Sequence, residues 1–519
     1  MNFNDIYLLS PQISIAAVAI LTILGDLVIA QKRAVMLIAL IGLIVPLGFA
    51  LSLVSSVNVA PDVALVDSSS ILSSSFSLSL FSLYFNFLVL GVLAIVVLGS
   101  SDYVRYSGVP QGEYFGLLLL SASGMMLLAS AENLITIYIA LELTTLPLAA
   151  LAAFAFNGKS TESGIKFLIV SALSSAVMLY GMAFIYGLSG SITLEGISAG
   201  FMNASLNTMP YQQYGILVGV ILLLVGFGFK LSVVPFHMWV PDVYEGSPTP
   251  VVAFLSVASK AVAFALVLRF FYVGLGDLDL NWILLFAVIS ALSMTVGNLL
   301  AISQTNIKRL FGYSTIAHAG YILAGVAAIS YTGDSYIGVS SVLFYLVAYG
   351  AANLTALLAI SQIGELLGSD DIDSYAGLSR KAPFFTGALV ISLIALIGIP
   401  PTGIFIAKIY VFTAAVEAGL MWLAIIGVIN SVVSAYYYVR VIRVMFKNDD
   451  SNKETDPMKT GLFVKLAIVV SSVITVWLGI MPSWMLGMAE IAAVSLVGLT
   501  ERAQNSPLDW STIPPCAIP

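Results

Sequence analysis

Fourteen long apolar runs follow one another along this chain with short polar breaks between them, and that pattern leaves few folds open. They cover residues 13–30, 34–54, 80–98, 114–129, 133–154, 164–188, 214–239, 251–272, 282–302, 311–329, 339–363, 385–414, 421–444 and 462–481. An α-helix needs roughly 20 apolar residues to cross the hydrocarbon of a bilayer. A water-soluble core of this extent would need a charged shell. Only 9% of the 519 residues are charged and 60% are hydrophobic, whereas soluble domains carry about 25% charge. The expectation is an all-α polytopic membrane protein of about fourteen transmembrane helices, with lipid as the solvent for most of its surface.

Lysine and arginine orient the spans. The loops after odd-numbered runs hold Lys32, Arg33, Arg105, Lys159, Lys308, Arg309, Arg380, Lys381, Arg440, Arg443, Lys447, Lys453 and Lys459, thirteen in all, against Arg269 and Arg502 on the other side. That bias predicts odd loops inside and both termini outside. The opening Met1-Asn2-Phe3-Asn4-Asp5 lacks the positive region of a cleavable signal, so the first run is expected to stay. Segments 55–79 and 189–213 are rich in Ser and Asn and read as loops covering the outer face. Residues 484–499 read as an interfacial helix, and the tail from Asn505 as disordered.

Several chemistries are excluded by counting. The single cysteine, Cys516, rules out an intrachain disulfide, a cysteine-ligated iron–sulfur cluster and a structural zinc site. Two histidines, His237 and His318, are too few for the bis-histidine haem sets of membrane cytochromes. No basic block suggests nucleic acid. Gly226-Phe227-Gly228 lacks the third glycine of a dinucleotide fingerprint and lies in an apolar run. No cofactor or metal is expected in this chain.

Chemistry is instead expected where charge sits in apolar surroundings. Lys230, Lys260 and Lys408 fall well inside runs, and Glu142 lies at the middle of the fifth. Each such group costs about 2.5–3.5 kcal/mol at the centre of a bilayer, so it must face the bundle interior, a partner or water. One reading is a static ion pair that staples helices. One carboxylate cannot neutralise three ammoniums, however. At least two lysines must be neutral or hydrated, and a neutral buried lysine accepts protons. Proton handling is therefore the favoured reading. His318, within Ser314-Thr315-Ile316-Ala317-His318-Ala319-Gly320, fits either hydrogen-bonded packing or a place in the relay. His237 adjoins Trp239-Val240-Pro241-Asp242 and suggests a structural role or one in proton uptake.

Two runs carry proline at depth, Pro235 in the seventh and Pro400-Pro401 in the twelfth. Proline removes a backbone donor, which membranes tolerate where the freed carbonyls line a polar cavity. The breaks are five helices apart, and an odd offset reverses direction. That is the pattern of an inverted repeat with discontinuous helices; two ordinary kinks remain the alternative. The repeat reading divides the chain into a three-helix segment (1–112), five-helix units at 113–275 and 276–446, and a C-terminal helix with its tail (447–519).

Pro235-Phe236-His237-Met238-Trp239-Val240-Pro241-Asp242-Val243-Tyr244-Glu245-Gly246-Ser247-Pro248-Thr249-Pro250-Val251 resembles the helix seven-to-eight junction of the antiporter-like membrane subunits of respiratory complex I, most of all the N-type. Glu142 in Leu141-Glu142-Leu143, Lys230, and Lys260 in Ser256-Val257-Ala258-Ser259-Lys260 match that family's helix-five glutamate, helix-seven lysine and helix-eight lysine. Lys308-Arg309-Leu310-Phe311-Gly312-Tyr313-Ser314 and Gly398-Ile399-Pro400-Pro401-Thr402-Gly403, with Lys408 following, match as well, and Leu8-Leu9-Ser10-Pro11-Gln12 also looks N-type. The resemblance covers about residues 114–444. One departure is that Lys408 follows its proline break whereas Lys230 precedes its own. The resemblance implies a proton-translocating subunit of an NADH- or ferredoxin-quinone oxidoreductase, partnered by other membrane-arm subunits and driven by redox chemistry elsewhere. It implies a relay through Glu142, Lys230, Lys260 and Lys408, with His318 assisting, and a place in a bacterial plasma (inner) membrane, or in the thylakoid membrane if the source is photosynthetic. An Mrp-type cation/proton antiporter subunit and a non-transporting membrane-arm scaffold are the competing readings. Sodium favours carboxylate oxygens, and only Glu142 is central.

Overall fold

The computed structural model describes residues 3–29, 32–59, 75–205, 210–275, 282–329, 336–448 and 460–497. Lys453, Lys459, Arg502, Cys516 and the tail from Asn505 lie outside the described residues, as do the side chains of Lys32 and Arg33. Among the described residues, thirteen helices are long and apolar enough to span a membrane. They are α1 (Ser10–Val28), α2 (Ala34–Ser55), α3 (Leu80–Gly99), α4 (Gln111–Ser130), α5 (Leu134–Ala152), α6 (Gly158–Ser189), α7 (Pro210–Leu231), α8 (Thr249–Gly274), α9 (Trp282–Ile302), α10 (Ile307–Ala327) and α11 (Ile337–Leu367), followed by α13 (Met421–Met445) and α14 (Leu462–Ile480). The remaining run, 385–414, forms two shorter helices, α12a (Pro383–Ile397) and α12b (Gly403–Glu417). Helix α15 (Ser483–Val497) follows α14.

The polar breaks start the helices they precede. Asn133, Asn157 and Asn306 accept backbone N–H groups of the first turns of α5, α6 and α10 at 2.8–2.9 Å, satisfying donors that no carbonyl inside the helix can reach. Helix α2 has a turn at Leu43. Pro46 has no N–H for the Gly42 carbonyl, which accounts for that irregularity. Segment 189–213, expected to be a loop, contains the helix Leu194–Ser205, with Leu194, Ile197 and Phe201 buried. Its alternation of apolar residues is too short to stand out beside the spans. Helix α8 is wider than an α-helix over Leu255–Ser259 and Phe270–Gly274, two π turns.

Burial separates two kinds of span. In α8, α10 and α11, 94% of the apolar window is buried, against 33% in α1 and α14. The peripheral helices thus carry apolar side chains on their outer faces, and the central three are enclosed by other helices. Helices α9 and α10 approach closely through glycine. A Cβ on Gly297 would lie 2.7 Å from the Ala317 nitrogen, and one on Gly320 2.6 Å from the Met294 nitrogen. Close backbone approach through small residues is how spans associate when lipid gives no hydrophobic drive.

Candidate functional site

Lys230 is half-buried near the end of α7 and donates to the Thr145 hydroxyl on α5. Thr145 in turn donates to the Leu141 carbonyl at 2.6 Å, which leaves its lone pairs free for the ammonium. Glu142 is half-buried on the same helix, three residues before Thr145, and lies within Coulombic range of Lys230. The structure brings this glutamate and lysine to one place, but the hydrogen bond is made by the threonine. No Glu142–Lys230 ion pair within 4.0 Å occurs among the described residues. Beyond Lys230 the chain leaves the helix at Leu231, and Ser232 adopts a left-handed φ of 62°. Pro235 has no N–H for the Leu231 carbonyl, and helix resumes only at Trp239–Gly246. His237 is buried in this interruption beside the Pro235 carbonyl.

Lys260, His318 and Lys408 form a second group. Lys260 is 2% exposed, sits directly after the π turn Leu255–Ser259, and donates to the Thr315 carbonyl at 3.0 Å. Isolated π turns occur often at functional sites. One turn on along α10, His318 is 1% exposed and its Nδ1 lies 3.0 Å from the Tyr345 hydroxyl on α11. The next turn presents Tyr321, and the Lys408 ammonium lies 4.7 Å from the centre of its ring. Thr315, His318 and Tyr321 recur every three residues, so one face of α10 runs from Lys260 to Lys408. The Tyr349 ring lies tilted, 5.0 Å from the imidazole, and its hydroxyl is 3.0 Å from Thr315 Oγ1. Both lysines lie within Coulombic range of His318. Among the described residues no hydrogen-bonding side chain is shared between this row and the Lys230–Thr145 contact.

The surroundings of Lys408 follow from the proline pair. A continuous helix would bond the Leu396 and Ile397 carbonyls to the N–H groups of residues 400 and 401, and both are proline. The Lys408 ammonium takes their place, donating to Ile397 at 2.8 Å, to Leu396 at 3.4 Å and to Ser431 Oγ at 2.8 Å. Ser431 itself donates to the Ile397 carbonyl at 3.1 Å. The sequence places Lys408 after its break; folding turns it back onto that break. Around the row, Asn298 donates to the Tyr321 hydroxyl at 3.1 Å and accepts from Tyr437 at 3.0 Å, while Ser314 bonds Tyr438.

The two ends of the bundle are charged differently. At one, Asp242 on the helix Trp239–Gly246 accepts from Lys166 at 3.1 Å and from Arg309 at 2.8 Å, and Glu245 accepts from Arg309 at 3.0 Å. Burial pushes the Asp242 carboxyl up, but the bonds from Lys166 and Arg309 outweigh it and hold the group below its usual range. At the other end Arg269, counted from sequence as an outer-loop charge, is instead 3% exposed within α8 and bridges Glu132 at 2.9 Å. Its apolar neighbours Leu268 and Phe270 hide it in the hydropathy pattern near the run's end.

Residues 131–434 match the family described as NADH:quinone oxidoreductase/Mrp antiporter, TM. The chain is 38% identical over 494 residues to the NADH-quinone oxidoreductase subunit N of Dehalococcoides mccartyi, covering 94% of this chain and 99% of that one. It is 39% identical over 500 residues to subunit N of Desulforamulus reducens, covering 96% and 100%. Among solved structures it resembles a chain of respiratory complex I from Thermus thermophilus with bound Aureothin, with a TM-score of 0.73, 31% identity, and 92% and 99% coverage. It also shares the fold of a chain of the Mrp complex from a Dietzia species, with a TM-score of 0.80, 20% identity, and 97% and 99% coverage.

Proposed function

This chain belongs to the NADH:quinone oxidoreductase/Mrp antiporter transmembrane family, and we propose that it is the N-type, proton-translocating membrane subunit of a quinone oxidoreductase complex. It works beside other membrane-arm subunits in a bacterial plasma membrane, with the Lys166–Asp242–Arg309 end inside and both termini outside, as the lysine and arginine bias suggests. The relatives named as subunits of a quinone oxidoreductase favour this over a free-standing cation antiporter.

The observation that carries the reading is the single enclosed face of α10 that links Lys260 to Lys408 through Thr315, His318 and Tyr321. Ionised Glu142 favours the ammonium form of Lys230 across Thr145. Withdrawing or neutralising Glu142 leaves that ammonium poorly solvated, and the proton moves on toward Lys260. His318, hydrogen-bonded to Tyr345, passes it along α10, and Lys408 delivers it to the far side. Redox chemistry in other subunits supplies the work, ~2.3 kcal/mol per charge for each 100 mV of membrane potential. Units 113–275 and 276–446, each with one interrupted helix, are the two inverted halves between which the relay runs.

The test uses the whole complex reconstituted in vesicles, with quinone reduction and proton uptake followed together. Lys260→Met and Lys408→Met should each assemble and lose proton uptake per quinone reduced. Wild-type uptake in both would make the subunit a scaffold.

A further inference from the structure

One titratable side chain outside the relay lies at the end of a short row of hydroxyls that begins near it. Glu490, on α15, is half-buried and accepts from the Tyr410 hydroxyl at 3.4 Å. Tyr410 lies two residues beyond Lys408 on α12b, and its hydroxyl is 2.7 Å from Ser340 Oγ on α11. Ser340 lies five residues from Tyr345, the partner of His318, or about 7.5 Å along the helix. The Ser340 and Tyr410 hydroxyls thus lie between the depth of the His318–Lys408 group and the end of the bundle where α11 begins and α12b finishes, with no direct hydrogen bond to that group among the described residues. Helix α15 packs against α11 and α3, and the Phe81 N–H donates to Ser495 on it at 2.9 Å.

Glu490 needs a reason to be there. It forms no ion pair among the described residues, so static pairing does not account for a carboxyl in this apolar helix. Burial pushes the carboxyl up from its usual range, and the bond from Tyr410 draws it partly back. It is also not sealed inside the bundle.

We propose that Glu490 is the proton-release carboxylate of this subunit, receiving protons through Tyr410 and yielding them to water at the outer face. The proposal rests on the relay reading and on the orientation given with it. In the step, the Tyr410 O–H bond breaks as an O–H bond forms on Glu490. Tyr410 regains a proton from the Ser340 hydroxyl, which is refilled through water from the Lys408–His318 side. The acid then ionises to bulk, restoring the carboxylate, so one proton leaves for each one that enters and no electron moves.

The experiment measures proton uptake per quinone reduced by the reconstituted complex carrying Glu490→Gln, Glu490→Asp, Tyr410→Phe or Lys408→Met. Glutamine still accepts a hydrogen bond from Tyr410 and keeps α15 in place, but it cannot titrate. Removing a positioned proton-transfer group slows its step by about 10²-fold or more. The Gln and Phe variants should therefore fall to the level of Lys408→Met, and Asp should retain most of the coupling. Normal pumping by Glu490→Gln beside a dead Lys408→Met would overturn the release role and leave the relay standing. Normal pumping by both would overturn the relay and this proposal together. Equal defects in Gln and Asp would show that Glu490 only docks its helix, and would overturn the proposal as well.

Discussion

Replacing Lys408 with arginine keeps a cation at the break in α12 and takes away its ability to let the proton go. The site suits a guanidinium well. Two backbone carbonyls, one hydroxyl and one aromatic face surround the ammonium, and arginine brings five N–H donors and a planar ion that stacks on rings. Hydrogen bonds to a charged group are worth about 1.5–3 kcal/mol each, so the variant should fold and assemble. Its chemistry is different. Arginine titrates above about pH 12, some five units from neutrality, and at ~1.4 kcal/mol per unit its deprotonation costs ~7 kcal/mol. A potential of ~100 mV is worth only ~2.3 kcal/mol per charge. The neutral form would be populated about 10⁵-fold less than the charged one, too seldom for turnover. The assay is quinone-coupled proton uptake by the reconstituted complex, with an ionophore control for electron transfer. Assembled complex, electron transfer when uncoupled and no proton uptake are the expected results. Wild-type coupling in Lys408→Arg would show that only the charge matters, and the shuttle reasoning would fail. Lys408→Glu, which can titrate, should restore part of the coupling.

Three further expectations follow from the geometry. Glu142→Gln and Lys230→Ala should each impair pumping, and the double variant should be little worse than the more damaging single, because Glu142 acts through the Lys230 ammonium; additive losses would separate them. In a background with Cys516→Ser, a cysteine at Ser451 should label from the inner face and one at Ser506 from the outer, and labelling of both from one face would sink the orientation. Asp242 has a folded pKa below its unfolded value of about 3.9, so its stabilisation is complete above roughly pH 4 and lost as pH falls through the lowered value. Protection of the amides of residues 239–246, taken relative to each amide's intrinsic exchange rate at the same pH, should stay flat from neutrality to about pH 4 and fall below it, and opening already at pH 6 would contradict the sign.

Much of the architecture was legible because hydropathy is a bulk signal. Runs such as 282–302 and 421–444 correspond closely to α9 and α13, and lysines inside such runs stand out by their rarity. What surrounds the lysines was not legible. Thr145, Ser431, Tyr345 and Tyr410 are ordinary residues in a chain with 23 tyrosines; only packing shows which hydroxyl meets an ammonium. The prolines pointed to freed carbonyls, but not to Lys408 as the donor that would satisfy them. Arg269 misled because a charge near the end of a run looks solvated in sequence, whereas Glu132 waits for it in the link between α4 and α5. The π turn before Lys260 has no residue pattern that announces it.

The join between α12a and α12b also obeys an arithmetic of hydrogens. A protonated Lys408 carries three, one each for Leu396, Ile397 and Ser431. The neutral amine has two and a lone pair, so one of the three bonds from this nitrogen is lost, in a stretch where two prolines already withhold their own donors. Loss of the proton is therefore also a slackening of the helix, located at a single nitrogen. Because such couplings are reciprocal, any force that pries α12a from α12b acts back on whether that nitrogen keeps its proton. Strain arriving from a neighbouring subunit and charge leaving for water would then be two descriptions of the same event.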